Sequence, residues 1–174
     1  MTLQHSELSD RFGRRIEYLR LSVTDRCDMR CAYCMPQEFD SYEEPSHWLN
    51  FDEIERILRI FARRGLRRVR LTGGEPLLRN RLTDRSRRIK AIPGIDDLSL
   101  STNGTQLAKH AAALKAAGID RLNISLDSLR PERFAAITHR DVLPDVLHGL
   151  AVARAAGFAP LKINMVWLAG TNDE

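Results

Sequence analysis

The chain has 174 residues, of which 43% are hydrophobic and 29% charged, with no low-complexity tract; that is enough for one folded core but short of the roughly 200 or more residues a complete α/β barrel uses. No apolar run approaches the roughly 18 residues of a membrane-spanning helix, and Met1 to Arg15 lack the apolar stretch of a signal peptide, so the composition points away from a membrane and towards the cytoplasm. The formal charge of +4 comes from scattered cations whose densest group includes Arg63, Arg64 and Arg67, at a helix end where cations complement exposed carbonyls, so it does not make a nucleic-acid footprint.

Residues 1–15 read as an N-terminal segment and 16–174 as the core. The first predicted strand covers 18–24, where Arg20, Ser22 and Thr24 share one face and Leu19, Leu21 and Val23 the other. A helix is predicted near 52–64 and a strand at 67–72, in which Arg68, Arg70 and Thr72 oppose Val69 and Leu71. Helix 80–91 precedes strand 97–102, where Ser99 and Ser101 oppose Leu98 and Leu100; helix 106–117 precedes strand 121–126, where Asn123 and Ser125, with Asp127, oppose Leu122, Ile124 and Leu126. Pro131 opens a helical region reaching 156 that Pro144 divides in two, and a last strand is expected near 160–167, with Lys162 and Asn164 opposite Leu161, Ile163 and Met165.

Strands alternating with helices of this length imply parallel strands joined by right-handed crossovers. A doubly wound sheet has helices on both faces, so its central strands should be apolar throughout. These strands are not. If helices cover only the apolar face, the polar faces converge on a common lumen, which predicts an α/β fold of the partial (β/α) barrel type ending after the fifth strand. The alternative is a sheet with one solvated face. Arg20, Arg70 and Lys162 in one lumen are costly without an anionic ligand, and a polyphosphate would satisfy them.

The three cysteines fall within eight residues, Cys27-Asp28-Met29-Arg30-Cys31-Ala32-Tyr33-Cys34, directly after the first strand. An odd number so closely spaced argues against a disulfide framework. Three thiolates on one loop can ligate three irons of a [4Fe-4S] cube and leave the fourth open for an exchangeable ligand. Structural zinc wants four closed ligands, and the nearest fourth candidate, His47, lies beyond a proline-containing loop. Thr72-Gly73-Gly74-Glu75-Pro76 follows the second strand and by itself reads as a tight turn.

C-x3-C-x2-C with an aromatic residue before the last cysteine, together with the Gly-Gly-Glu-Pro turn, resembles the radical S-adenosylmethionine superfamily. Leu19 to Cys27, Val69 to Pro76, Ser101-Thr102-Asn103-Gly104 and Asn123 to Leu129 are similar, in this order, to the GTP 3′,8-cyclase family of molybdenum cofactor biosynthesis. The resemblance implies a [4Fe-4S] cluster on Cys27, Cys31 and Cys34, and S-adenosylmethionine contacts at Tyr33, Gly74 and Ser125, with the glycines admitting the methionyl end closely. It implies GTP contacts at Arg20, Arg70, Ser101 and Lys162, with the phosphates at Arg70 and Lys162. The implied activity is a lyase that converts GTP to (8S)-3′,8-cyclo-7,8-dihydroguanosine 5′-triphosphate after hydrogen abstraction at C3′. Implied partners are an electron donor of the flavodoxin or ferredoxin class and a possible second copy.

The family also uses a second [4Fe-4S] cluster, whose ligands are absent from this chain, so a fragment inactive by itself is expected. Asp28-Met29 stands where the family usually has Asn-Phe; a carboxylate there is expected to lower the potential of a neighbouring cluster and to disturb the loop. Alternative functions are another radical S-adenosylmethionine enzyme, such as a peptide maturase, or a noncatalytic metal-binding module.

Overall fold

The computed structural model describes residues 7–36, 38, 39, 41, 42 and 45–173; positions 1–6 of the expected N-terminal segment lie outside the described residues. Five strands, β1 (Tyr18–Ser22), β2 (Arg68–Thr72), β3 (Asp97–Thr102), β4 (Arg121–Ser125) and β5 (Lys162–Asn164), form one sheet in sequential order, every pair parallel. Between them run α1 (Phe51–Ala62), α2 (Leu82–Lys90), α3 (Leu107–Ala116), α4 (Pro131–Thr138) and α5 (Leu143–Ala155). Sequential order with one-sided helices makes this a partial (β/α) barrel, not a doubly wound sheet.

Side-chain alternation produces that one-sidedness. Val69, Leu71, Leu98, Leu100, Leu122 and Ile124 are each at most 1% exposed and face the helices. Helical spacing brings Ile54 and Leu58, Leu82 and Ile89, Leu107 and Leu114, and Val146 and Ala153 onto them. Each such Leu, Ile or Val side chain contributes roughly 1.5–3 kcal/mol on burial. The opposite face carries the strands' polar residues, apart from Thr102 at the end of β3.

Local chemistry sets the element ends. α1 starts at a capping box: Asn50 Oδ1 accepts from the backbone N–H groups of Asp52 (2.9 Å) and Glu53 (3.0 Å), while Glu53 Oε2 accepts from the Asn50 N–H at 2.8 Å. Pro144 stands in the first turn of α5, where its missing N–H costs nothing, and so splits the last helical region as expected. The fifth strand is shorter than its alternation suggested. Its ladder ends at Asn164, and the Val166 N–H turns instead to Asp127 Oδ1 at 2.8 Å. At the edge of the sheet, Ile163 of β5 is 44% exposed and shares an apolar groove with Leu147 and Leu150. Residues 7–15 fold back on themselves through a Ser9–Arg15 bridge and attach to the turn after α1, Leu8 N–H donating to the Arg64 carbonyl at 3.0 Å.

Candidate functional site

The cysteine loop leaves β1 at the carboxyl end of the sheet, where parallel α/β folds place their ligands. It has no regular secondary structure, yet its backbone is tied on two sides. Towards β2, Gly74 N–H donates to the Thr24 carbonyl and Glu75 N–H to the Arg26 carbonyl, both at 2.8 Å. Towards α4, Arg30 N–H donates to the Thr138 carbonyl (3.0 Å) and Ala32 N–H to the Ile137 carbonyl (2.9 Å). Arg30 Nη1 also donates to the Cys27 carbonyl at 2.7 Å.

The Gly-Gly turn is required by this packing. A Cβ on Gly73, whose φ is +149°, would lie 2.2 Å from the Thr24 carbonyl oxygen, and one on Gly74 would lie 2.4 Å from that of Arg26. The partner that these glycines admit closely here is the cysteine loop. Both N–H groups at Gly74 and Glu75 are spent on that loop, which leaves carbonyls as the polar groups suited to an amine donor.

Glu75 is fully buried beneath the loop. Its Oε1 accepts from the Leu77 N–H (3.0 Å) and Thr102 Oγ1–H (2.8 Å), and its Oε2 from the Asn103 N–H (2.7 Å). Burial pushes its carboxyl up to about 7, against the pull of those donors. Asn103 continues the chain of contacts: its Nδ2 donates to Asp28 Oδ1 at 2.7 Å and lies 3.9 Å from Cys27 Sγ, while Thr105 Oγ1 donates to Asp28 Oδ2 at 2.7 Å. Asp28 does not disturb the loop as expected. It fastens it to the turn after β3.

On the far side Tyr33, 43% exposed, donates its hydroxyl to Asp127 Oδ2 at 2.7 Å, and Asp127 is buried at the end of β4. Asn172 Nδ2 bonds the carbonyls of Asp127 and Val166, both at 2.8 Å, so one polar network spans the cysteine loop, β4 and the segment after β5. Asp127 entered the sequence pattern only as a polar-face residue. Its anchoring role joins residues 94 positions apart, a pairing without local signal.

Cys27 and Cys31 are half-buried and Cys34 is exposed. Burial raises the Cys27 thiol above its ordinary value and pushes Cys31 up to about 11, with Asp127 and the neighbouring cysteines adding to the effect at Cys31. At Cys27 and Cys31 these surroundings suit protonated thiols better than bare thiolates, and a cation that replaces the protons reverses the preference. Among the described residues no three His, Cys, Asp or Glu side chains gather around a point suited to one metal ion. A cube attaches each thiolate to a different iron, so it does not require three side chains converging on one point, and three thiols on one clamped loop are the donor set it uses.

The other expected residues lie on the polar face. Register pairs Arg20 with Arg70, Arg70 with Ser99, Ser101 with Asn123, and Asn123 with Lys162. Arg70 Nε donates to Ser99 Oγ at 3.3 Å, and with the Asn123 carboxamide turned oxygen-inward, Arg70 Nη1 donates to it at 2.9 Å. Arg70 and Lys162 share a cleft of about 480 Å³ with Arg68, Arg121 and Tyr18 near the amino ends of the strands. The Arg68 and Arg70 guanidinium carbons lie 5.9 and 5.5 Å from the Tyr18 ring centroid, and Arg121 is paired to Asp97. Arg20 and Ser101 are on the same face but do not line this cleft. Of the S-adenosylmethionine positions, Tyr33 lies within the cysteine loop, Gly74 packs against it and Ser125 is exposed at the carboxyl end of β4. Arg121 and Tyr18 were missed as lining residues, although the alternation that placed Arg20, Arg68 and Arg70 on this face extends to Tyr18.

Comparison with known proteins bears on the fold and the family. The chain is 52% identical over 169 residues to the GTP 3′,8-cyclase of Ectopseudomonas mendocina, covering 97% of this chain and 51% of that one. To that of Geobacter sulfurreducens it is 53% identical over 169 residues, covering 96% and 51%. It thus spans about half the length of the curated relatives it matches. Its fold superposes on the [FeFe]-hydrogenase maturase HydG with a TM-score of 0.70 at 16% identity, covering 86% of this chain and 35% of that one. Methylornithine synthase (PylB) gives 0.70 at 15% identity, covering 90% and 46%. The family model of the Radical SAM superfamily matches residues 21–174, and with the thiol loop and barrel strands in place, the chain belongs to that superfamily.

Proposed function

We propose that this chain forms the cluster-bearing and phosphate-binding part of a GTP 3′,8-cyclase, a lyase of molybdenum cofactor biosynthesis that makes (8S)-3′,8-cyclo-7,8-dihydroguanosine 5′-triphosphate. Superfamily membership implies a [4Fe-4S] cluster and S-adenosylmethionine; Cys27, Cys31 and Cys34 would hold the first, with Tyr33, Gly74 and Ser125 about the second. When bound, the cluster supplies the electron that converts S-adenosylmethionine to methionine and a 5′-deoxyadenosyl radical.

The observation that carries the proposal is the separation of two chemistries along one sheet. Cations occupy the amino ends of the strands and thiols lie beyond the carboxyl ends. Four residue steps along a parallel strand span roughly 13 Å, a distance suited to a nucleotide with its triphosphate in the cleft and its sugar towards the thiol loop. Arg70, pinned by Ser99 and Asn123, presents a pre-oriented guanidinium, and Lys162 adds a mobile ammonium. Arg20, level with Arg70 on the neighbouring strand, and Ser101, two residues beyond Ser99 on β3, would place the nucleoside. Relatives of about 50% identity carry the cyclase name.

The proposal places the protein in the cytoplasm with a one-electron donor of the flavodoxin or ferredoxin class, and allows a homodimer. The second [4Fe-4S] cluster of such enzymes needs cysteines beyond the three here. These residues by themselves would therefore bind GTP and cleave S-adenosylmethionine slowly without completing cyclisation. The test is anaerobic reconstitution followed by calorimetry with GTP, ATP and unrelated cysteine-containing peptides. GTP binding, together with slow release of 5′-deoxyadenosine under dithionite, is expected. A loaded chain that bound peptide and ignored GTP would overturn the proposal in favour of a peptide-modifying enzyme.

A further inference from the structure

Asp28 stands out because its charge is held beside a thiol ligand without a cation in contact. Both carboxylate oxygens are occupied, Oδ1 by Asn103 Nδ2 and Oδ2 by Thr105 Oγ1, each at 2.7 Å. Both donors are neutral, and among the described residues no ion pair involves Asp28. The Asn103 amide is shared, its Nδ2 lying 3.9 Å from Cys27 Sγ. One carboxamide therefore separates a fixed negative charge from a cluster ligand, in partly buried surroundings where screening by water is reduced.

We propose that Asp28 is a positioning residue for the cysteine loop whose charge lowers the reduction potential of the cluster held by Cys27, Cys31 and Cys34. Adding an electron beside an uncompensated anion is disfavoured, and the reduced cluster correspondingly becomes a stronger donor. The proposal rests on the cluster reading, though not on GTP as substrate.

The network supplies its own control. In Asp28→Asn, the carboxamide oxygen can still accept from Asn103, and its NH2 can donate to Thr105 Oγ1. The displaced Thr105 proton has a second acceptor ready, Asn103 Oδ1 at 2.9 Å. This variant removes the charge and keeps the clamp. Thr105→Val does the reverse, keeping the charge and removing one donor. Asp28→Ala removes both.

The experiment is anaerobic reconstitution of the chain and the three variants, with iron and sulfide analysis, then redox titration followed by the EPR signal of the reduced cluster. Asp28→Asn should load fully and titrate at a less negative midpoint than the parent. Thr105→Val should titrate at the parent midpoint or below it. Asp28→Ala should combine a less negative midpoint with faster cluster loss to a chelator. An unchanged midpoint in Asp28→Asn would overturn the proposal. So would a rise in Thr105→Val matching that in Asp28→Asn, since loop displacement would then account for both. A parent chain that bound no iron would overturn the cluster reading and this proposal with it.

Discussion

Glu75 makes the stability of the fold depend on pH in a way that one substitution can isolate. Burial raises its carboxyl from the ordinary 4.5 to about 7 in the folded chain. The native state therefore holds a proton that the unfolded state has already released, and the stabilisation is complete below about pH 4.5. It falls by about 1.4 kcal/mol per pH unit as pH rises towards 7 and is flat above, a total near 3 kcal/mol.

Protonated Glu75 can satisfy every neighbour. A proton on Oε1 can turn to Thr102 Oγ1, whose hydroxyl rotates, while lone pairs still accept from Leu77 N–H and Asn103 N–H. Glutamine cannot do this. Its NH2 must face either the Leu77 N–H or the Asn103 N–H, and a buried donor left against a donor costs roughly 1–3 kcal/mol. Glu75→Gln should thus be less stable than the parent at pH 5 and at least as stable at pH 8, with the two profiles converging or crossing between. Urea unfolding at pH 5, 6, 7 and 8 measures this, and the difference between the two chains cancels every other titrating group. Parallel profiles over that range would refute the burial argument.

Three further outcomes are expected. Gly74→Ala should destabilise the fold by about 2 kcal/mol or more, because its Cβ meets backbone oxygens of Arg26 and Asp25 at 2.4 and 2.6 Å, and should speed alkylation of the cysteines; Gly65→Ala, with open space around its Cβ, should cost only the strain of its positive φ. Reconstituted protein should carry about four irons per chain, and alanine at Cys27, Cys31 or Cys34 should abolish this, as iron and sulfide analysis would record. Arg70→Ala should weaken GTP binding by roughly tenfold to a hundredfold in calorimetry, the worth of a charge-assisted hydrogen bond of about 1.5–3 kcal/mol; unchanged affinity would remove Arg70 from the phosphate site.

The sheet was legible because alternation is a direct trace of burial: residues that alternate in β2, β3 and β4 face either helices or the open polar side. Pro144 marked the break between α4 and α5 for an equally local reason. The end of β5 was not legible. Alternation runs on through Met165, while the ladder stops at Asn164 because Asp127, distant in sequence, captures the next free N–H that the strand would have used. The thiol loop could be found by spacing, but its clamps could not. Glu75 with Asn103, Asp28 with Thr105, and Tyr33 with Asp127 are pairs between loops, and loop-to-loop hydrogen bonds have no period.

Those clamps explain how an irregular loop can present three thiols with the constancy of a strand. Loops at the carboxyl ends of barrel strands are free to vary in chemistry, but ligand geometry tolerates little motion. Here the freedom is removed from three directions: the Gly73-Gly74 backbone lies flush against residues 24–26, the Asn103 amide reaches Asp28 from the turn after β3, and Asp127 holds Tyr33 from the end of β4. The anchors belong to β2, β3 and β4, whose relative positions are fixed by continuous ladders and a shared buried face. A displacement of the cysteines must therefore break buried hydrogen bonds at a strand end or shift the strands themselves. The same ladders set the spacing between Arg70 and the thiol loop, so the core that stabilises the sheet also fixes the distance from the cationic cleft to the three cysteines.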